Sequence, residues 1–509
     1  MAVETYAWVR YHARQTPDKT ALVDVHSGRS FSYAQMQERT LRLAHALRHQ
    51  LGVEQGDRVA FLSNNTTDFF ELEFACLELG AVCVPLNWRL TVPELEYIVR
   101  DAAPKVLVHE DFFAESAHAL EHLCAVPRLL ELNASGRDSA YEAALSAAEP
   151  ALERADTTHD DLWMIMYTSG TTGHPKGAMI TYGMVFWNAV NASNPHALSA
   201  DMVNLCVLPL FHAGGLNLYC NPAVHMGGTN VIMRAFDPEQ TLRLLQDRAM
   251  GVTHFMAVPT VYLVMSQAAS FEKADLSHIT CCGIGGGPTP VELLGTYAER
   301  GKALQQAYGM TETGPLVTAL DAAQAPHKIG SAGLPVLHAR VRIVDEDGVE
   351  VKEAGTVGEL WVSSPSVTPG YWNRPDATAE AFTDGWLHTG DAARADEDGH
   401  IYIVDRWKDM FVSGGENVYP AEVENVIYQI PEVAEVAVVG LKDERWGEVG
   451  CAVIVVKAGE TLDEAAVLAH CRERLARFKQ PRSVRFVAEL PHNAAGKVLK
   501  RELREQGVD

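Results

Sequence analysis

The chain has 509 residues, too many for one compact hydrophobic core, so at least two domains are expected. Hydrophobic residues make up 47% and charged residues 21%, which excludes a disordered chain. A formal net charge of −24 argues against binding nucleic acid or anionic lipid through overall charge, because both reward a basic surface.

The N-terminus carries Glu4 and Arg10 in its first turns and has no apolar signal core. No run reaches membrane-spanning length, so a soluble cytoplasmic protein with no transmembrane segment is expected. Within residues 31–60, Leu41, Leu43, Ala44 and Leu47 fall at helical spacing ahead of a Gly56-Asp57 turn and a strand that begins Val59-Ala60-Phe61-Leu62. The alternation then repeats: helix from Phe69 to Leu79, strand from Ala81 to Pro85, helix from Pro93 to Asp101, strand from Val106 to His109. Such alternation predicts a parallel sheet layered by helices, an α/β core. The Ala-rich segment 134–155 predicts a helix and a polar linker.

The next segment is Tyr167-Thr168-Ser169-Gly170-Thr171-Thr172-Gly173-His174-Pro175-Lys176-Gly177, which packs hydroxyls, glycines and one lysine into a single turn. That mixture suits a polyphosphate: glycines let several backbone N–H groups face one anion, hydroxyls add donors or reach its metal, and the lysine adds charge. It differs from a Walker loop, in which Gly-Lys-Ser/Thr opens a helix. Here Lys176 precedes Gly177 and a strand-like run, and residues 162–167 are also short, apolar and strand-like, so the loop joins two strands.

Nine cysteines lie scattered without paired zinc spacing, and Cys281-Cys282 are adjacent, so reduced thiols are expected. Residues 340–404 read as short strands with Asp-Gly turns at Asp347-Gly348, Asp384-Gly385 and Asp398-Gly399, an antiparallel subdomain. Near 404 the texture changes. Pro420 to Gln429 reads as helix, Val433 to Gly440 and Val449 to Lys457 as strands, and Leu462 to Phe478 as a helix with Leu468, Cys471 and Leu475 on one face. The charged join Asp405-Arg406-Trp407-Lys408-Asp409 is a hinge candidate. The expected domains are 1–405, layered α/β subdomains plus a β-rich subdomain, and 406–509, a small mobile α+β unit.

Four further segments follow the phosphate loop in order: Gln306-Ala307-Tyr308-Gly309-Met310-Thr311-Glu312-Thr313, His388-Thr389-Gly390-Asp391, Asp405 to Asp409 continuing to Gly414-Gly415-Glu416-Asn417, and Asn493-Ala494-Ala495-Gly496-Lys497. With the loop they resemble the AMP-binding, adenylate-forming superfamily, most closely its fatty-acid and aryl-acid CoA ligases. The resemblance implies an acyl adenylate made from a carboxylic acid and Mg-ATP, followed by transfer of the acyl group to a thiol.

The resemblance also assigns residues. Thr168, Ser169, Gly170, Thr171, Thr172, Gly173 and Lys176 would hold the β and γ phosphates, Glu312 with Thr168 the Mg²⁺, and Thr311 the α-phosphate. Asp391 would accept from both ribose hydroxyls, with Tyr308, Gly309 and Met310 against one side of the adenine and Gly285-Gly286-Gly287-Pro288 forming the other wall. Arg406 would reach the ribose or phosphate. Lys497 would bring an ammonium to the α-phosphate from the C-terminal domain, which then rotates and presents Gly414 and Gly415 to the thiol; Lys408 and Trp446 are further hinge and CoA candidates. Pro209 to Gly215 matches the acid-pocket entrance, with Phe211, His212, Ala213 and Gly214 facing the acid and Val258, Pro259, Thr260, Met310 and Leu316 as walls. His212 either screens the substrate carboxylate or gates the pocket, or else is a buried structural histidine.

No carboxylate stands in this entrance to receive an amino-acid ammonium, so a hydrophobic acid is expected, a medium or long fatty acid first and a phenylpropenoic or benzoic acid second. The expected small molecules are the acid, ATP and coenzyme A, the last because no carrier domain follows residue 509, and the sequence leaves a homodimer open. A luciferase-like oxygenase and a noncatalytic acyl or nucleotide sensor are the alternative classes.

Overall fold

The computed structural model describes residues 3–168, 175–287, 289–345, 347–406, 409–413, 416–443, 446–492 and 498–505. Within them the strands form four sheets.

The first sheet has the order Arg128–Leu132, Val106–Glu110, Arg58–Leu62, Val82–Pro85, Leu162–Thr168, Lys176–Thr181. Every neighbouring pair is parallel except the last, the predicted hairpin. The helices come where the spacing places them: Tyr33–His49, Asp68–Leu79 and Val92–Ala102. Ser32 starts the first of these with a capping box, accepting from Gln35 N–H while Gln35 Oε1 accepts from Ser32 N–H at 2.8 Å. The helix Asp68–Leu79 is buried along its whole length, so its charged side chains need internal partners. Glu71 finds Arg39 at 2.6 Å and the Tyr141 hydroxyl at 2.9 Å.

The second sheet is built on the parallel strands Gln305–Tyr308, Cys281–Gly285, His254–Ala257, Val203–Cys206, Thr229–Ile232 and Thr20–Asp24, with antiparallel additions at both ends. Its parallel strands are short and nearly all buried, as expected of strands covered on both faces. The third sheet, Arg340–Val344, Gly358–Ser363, Phe382–Thr383, Trp386–Ala395 and Ile401–Arg406, is antiparallel throughout, as the Asp-Gly turns predict.

The fourth sheet contains Phe411–Ser413, Glu416–Val418, Val433–Asp443, Gly447–Val456 and Ser483–Phe486, with helices Pro420–Ile427 and Glu464–Arg474. Sheet membership therefore changes between Arg406 and Phe411, at the charged join. The helix expected over 462–478 is shorter at both ends. Asp463 caps it by accepting from Ala466 N–H, and Leu475 is already extended. Its buried face carries Val467 and Cys471 rather than Leu468. The nine cysteines are free thiols. Among the described residues no helix is long and apolar enough to cross a membrane.

Candidate active site

The hairpin holds the two ends of the phosphate loop together. Thr168 pairs directly with Lys176 across the ladder, and Thr168 Oγ1 donates to the Lys176 carbonyl at 3.4 Å. One residue back, the Tyr167 hydroxyl donates to Asp101 Oδ2 at 2.7 Å, pinning the strand to the helix Val92–Ala102. Ser169, Gly170, Thr171, Thr172 and Gly173 lie outside the described residues.

A strap not singled out from the sequence crosses this hairpin. Met179 N–H donates to the Gly370 carbonyl at 3.1 Å and Trp372 N–H donates to the Gly177 carbonyl at 2.8 Å, so residues 370–372 run beside the strand that starts at Lys176. The same strap grips Glu312. Thr368 N–H donates to the Glu312 carbonyl at 2.7 Å, and the Tyr371 hydroxyl donates to Glu312 Oε1 at 2.9 Å. Lys176 Nζ stands 5.2 Å from the centroid of the same Tyr371 ring. One aromatic side chain thus stands beside both Lys176 and Glu312, the residues expected to serve the phosphate and the metal. The run Gly370-Tyr371-Trp372-Asn373-Arg374-Pro375 was the available signal, with aromatics next to turn formers.

Glu312 lies in a short 3₁₀ turn, Thr311–Thr313, and is 5% exposed. A single buried carboxylate is the protein ligand expected for Mg²⁺, which keeps water and takes its remaining ligands from phosphate. The residues present therefore fit that ion. The cluster Asp396, Asp398 and His400 has metal-ligand character too, but Lys328 Nζ already lies 2.9 Å from Asp396 and 2.5 Å from Asp398.

On the nucleotide side, Tyr308 ends its strand and its hydroxyl donates to Asp391 Oδ2 at 2.6 Å. The adenine and ribose candidates are therefore adjacent. Asp391 is buried and its Cα pairs with that of Arg406 across the third sheet, which brings the backbone of the hinge candidate beside the ribose candidate. Gly285 pairs with Ala307 on the neighbouring strand, and Gly286 and Gly287 form the exposed turn beyond it. At Gly309 a Cβ would meet the Pro315 carbonyl oxygen at 1.8 Å, so this position next to the aromatic wall requires glycine. Trp446 N–H donates to Asp443 Oδ1 at 2.8 Å, and the Arg482 guanidinium lies 5.6 Å from its ring. Pro288, Lys408, Gly414, Gly415 and Lys497 lie outside the described residues.

The residues expected on the acid side are held by buried asparagines, none of them anticipated. Asn65 Nδ2 donates to the carbonyls of Leu208 and Met233 at 2.9 and 3.1 Å, and its Oδ1 accepts from Leu210 N–H at 2.9 Å, fixing the run into Phe211 and His212. These rings pack with centroids 4.5 Å apart. His212 caps the turn Ala213–Gly215, which continues as a π-helical turn, Leu216–Cys220. Asn188 Nδ2 donates to the Asn217 carbonyl at 2.6 Å, while its Oδ1 accepts from Leu316 N–H at 3.1 Å. It thereby joins two walls. A scattered Asn carries no motif, so nothing in sequence spacing marked either residue. Leu316 is buried, Met310, Gly214, Val258 and Pro259 are half-buried, and Thr260 is exposed.

Family comparison places this arrangement. The AMP-binding enzyme family matches residues 9–372, and the AMP-binding enzyme C-terminal domain matches residues 422–497. A feruloyl-CoA synthase of Amycolatopsis sp is 44% identical over 500 residues, covering 98% of each chain. An indoleacetate–CoA ligase of Aromatoleum aromaticum is 40% identical, covering 99% of this chain and 98% of its own. A long-chain-fatty-acid–CoA ligase of Mycobacterium tuberculosis is 38% identical, covering 99% of both. The o-succinylbenzoate coenzyme A synthetase of Bacillus subtilis, solved with ATP and magnesium ion, superimposes with a TM-score of 0.88 at 31% identity, covering 98% of this chain and 100% of its own. With matches that run the length of both domains, the chain belongs to the AMP-binding enzyme family and is an AMP-forming acid–CoA ligase.

Proposed function

We propose that this ligase activates an aromatic carboxylic acid of the phenylpropenoic or arylacetic kind with ATP and passes it to coenzyme A. The observation that carries this reading is the 44% identity, over nearly the whole chain, to a feruloyl-CoA synthase. It reverses the order expected from the sequence, which put fatty acids first.

In the first half-reaction a carboxylate oxygen of the acid attacks the α-phosphorus of ATP, the bond from that phosphorus to the bridging oxygen breaks, and pyrophosphate leaves. Charge accumulates on the phosphates, so catalysis rests on cations and aimed donors. Lys176 and the hairpin hydroxyls grip the triphosphate, and Glu312 is the carboxylate for Mg²⁺, which when bound neutralises phosphate charge. Tyr308 and Asp391 receive the adenine and ribose. Lys497, assigned through the family motif, supplies the ammonium for the α-phosphate. In the second half-reaction the CoA sulfur attacks the acyl carbon, the mixed anhydride bond breaks, AMP leaves, and the thiol proton passes to solvent.

The test is a pyrophosphate-release screen over acids graded in length and aromaticity, with and without CoA. Aromatic acids are expected to give the highest kcat/KM, with thioester formed only when CoA is present. Lys497→Ala is expected to abolish adenylation yet leave thioester formation from supplied acyl adenylate largely intact. Equal loss of both steps in a folded variant defeats the role given to that lysine.

A further inference from the structure

Asp101 stands in the last turn of the helix Val92–Ala102. A carboxylate there meets the negative end of the helix dipole, and the carbonyls of that turn have no partners within the helix. The side chain is only 12% exposed, so its charge needs partners from outside the helix. They come from the two segments that frame the phosphate and metal candidates. The first is the hairpin. The Tyr167 hydroxyl donates to Asp101 Oδ2 at 2.7 Å. Tyr167 immediately precedes Thr168, and across the ladder it faces Gly177, which immediately follows Lys176. Glycine leaves room for the ring at this crossing: a Cβ on Gly177 would lie 3.1 Å from Tyr167 Cζ and 2.6 Å from Ile165 Cγ2.

The second segment is the strap and the two residues after it. Trp372 Nε1 and Asn373 Nδ2 donate to the Asp101 carbonyl at 3.1 and 3.2 Å, and Arg374 Nη1 donates to Asp101 Oδ1 at 3.4 Å. Arg374 also donates to the Tyr97 hydroxyl, one turn earlier on the same helix. The Trp372 backbone N–H donates to the Gly177 carbonyl at 2.8 Å. These contacts close a ring, from Asp101 to Tyr167, across the ladder to Gly177, on to Trp372 and back to Asp101. Helix, hairpin and strap are therefore fixed against one another, because none can shift without breaking two links. Next to Trp372 is Tyr371, whose hydroxyl donates to Glu312 Oε1 at 2.9 Å and whose ring centroid lies 5.2 Å from Lys176 Nζ. Slack in the ring is thus passed within one residue to Thr168, Lys176 and Tyr371.

We infer that Asp101 is a positioning residue for the magnesium nucleotide: acting through Tyr167 and the strap, it sets the spacing between Lys176 on the hairpin and Glu312 beneath Tyr371. Removing its side chain spares the bonds of Trp372 and Asn373 to its carbonyl but takes away the acceptor shared by Tyr167 and Arg374. Hairpin and strap then lose their common carboxylate anchor. This inference rests on the acid–CoA ligase reading and specifies what holds its nucleotide side in place.

The experiment separates nucleotide binding from turnover. The α,β-methylene analogue of ATP, which cannot release pyrophosphate, is titrated calorimetrically with magnesium into the wild type, Asp101→Ala, Asp101→Asn, Tyr167→Phe and the double variant Asp101→Ala/Tyr167→Phe. Thermal melts check folding, and pyrophosphate release gives KM for Mg-ATP and for the acid. Asp101→Ala is expected to weaken analogue binding about 10-fold, the scale of one lost hydrogen bond to a charged group, and to raise KM for Mg-ATP to match, with KM for the acid within about 2-fold of wild type. Asp101→Asn, which keeps an acceptor for Tyr167, is expected to bind within about 3-fold of wild type. Tyr167→Phe is expected to weaken binding about 5-fold, and the double variant to bind no more weakly than Asp101→Ala, since both substitutions remove the same bond. A folded Asp101→Ala that binds the analogue as the wild type does, with only a lower melting temperature, makes the residue a support of the fold alone and overturns the inference. Equal rises in both KM values overturn it too, as does a double variant in which the two losses simply add. Asp101→Asn and Tyr167→Phe keep the test intact should Asp101→Ala fail to fold. Weakened analogue binding in the variants, with no pyrophosphate release from any of the proteins, counts against the catalytic reading and leaves the anchor supported.

Discussion

The proposed nucleotide side and the proposed acid side of this site are built in opposite ways. Around the proposed nucleotide site, polar side chains meet each other directly: Tyr308 with Asp391 from two short motifs, and Tyr371 of the strap with Glu312. Around the acid, apolar side chains come from widely separated elements, and buried asparagines acting on backbone groups set their positions. A phosphate needs particular donors at particular points, whereas an oily substrate needs only a space of the right shape. The motifs that carry the chemistry are therefore each local in the chain, though they meet across it, and shape is distributed over it.

Substitutions that strike the polar side should cost most. Glu312→Gln removes the only charge that this turn offers a cation, and pyrophosphate release at saturating substrate should fall about 100-fold or more, the scale for losing one electrostatic group in an active site. A fall below about 3-fold would take Glu312 out of the machinery. Next comes Tyr371→Phe, which deletes one hydrogen bond to a carboxylate, an interaction worth about 1.5–3 kcal/mol. The expected result is roughly a 10-fold rise in the Mg²⁺ concentration needed for half-maximal activity, with little change in KM for the acid. A Mg²⁺ titration that superimposes on the wild type removes Tyr371 as the residue that aims Glu312.

The acid side should respond in the complementary parameter. Asn188→Ala leaves the Asn217 carbonyl and Leu316 N–H buried without their partner, at about 1–3 kcal/mol for each unsatisfied group. KM for the acid should rise and the melting temperature fall, while KM for ATP stays within about 2-fold. Equal rises in both KM values would show that the two sides are not separable through Asn188.

The smallest effect concerns pH, at a residue belonging to neither side. Glu73 is fully buried with Asn221 Nδ2 donating to it at 2.6 Å, and burial pushes its carboxyl up to about 8 against that hydrogen bond. The folded state thus prefers the protonated form. Its contribution to stability is complete below the usual carboxylate range and is lost as pH rises through about 8. Glu73→Gln should flatten the decline in melting temperature between pH 6 and pH 9, by a few degrees in this large chain. Parallel melting curves for variant and wild type would mean that the carboxyl is ionised in the fold.

Much of the architecture could be read without coordinates. The helix and strand alternation of residues 31–109 follows from spacing alone, the Asp-Gly turns mark the antiparallel sheet, and the glycine-hydroxyl loop sits in a hairpin as its flanking apolar runs require. The helix after residue 462 was overextended because periodicity continues past the point where Leu475 turns into extended chain. Tyr371, Asn65 and Asn188 escaped notice because each acts on a residue far away in sequence, over 59, 143 and 128 positions for the bonds to Glu312, Leu208 and Leu316.

The sequence by itself determined the reaction. Phosphate, ribose and metal each demand a fixed set of donors and acceptors, and those sets are spelled out in consecutive residues. Only the tertiary structure decided how the residues of the proposed acid side are placed. Asn65 reaches the carbonyls of Leu208 and Met233, and Asn188 ties Asn217 to Leu316, across elements that are far apart in the chain. No single stretch of the chain contains that information, because a volume belongs to all the residues that enclose it.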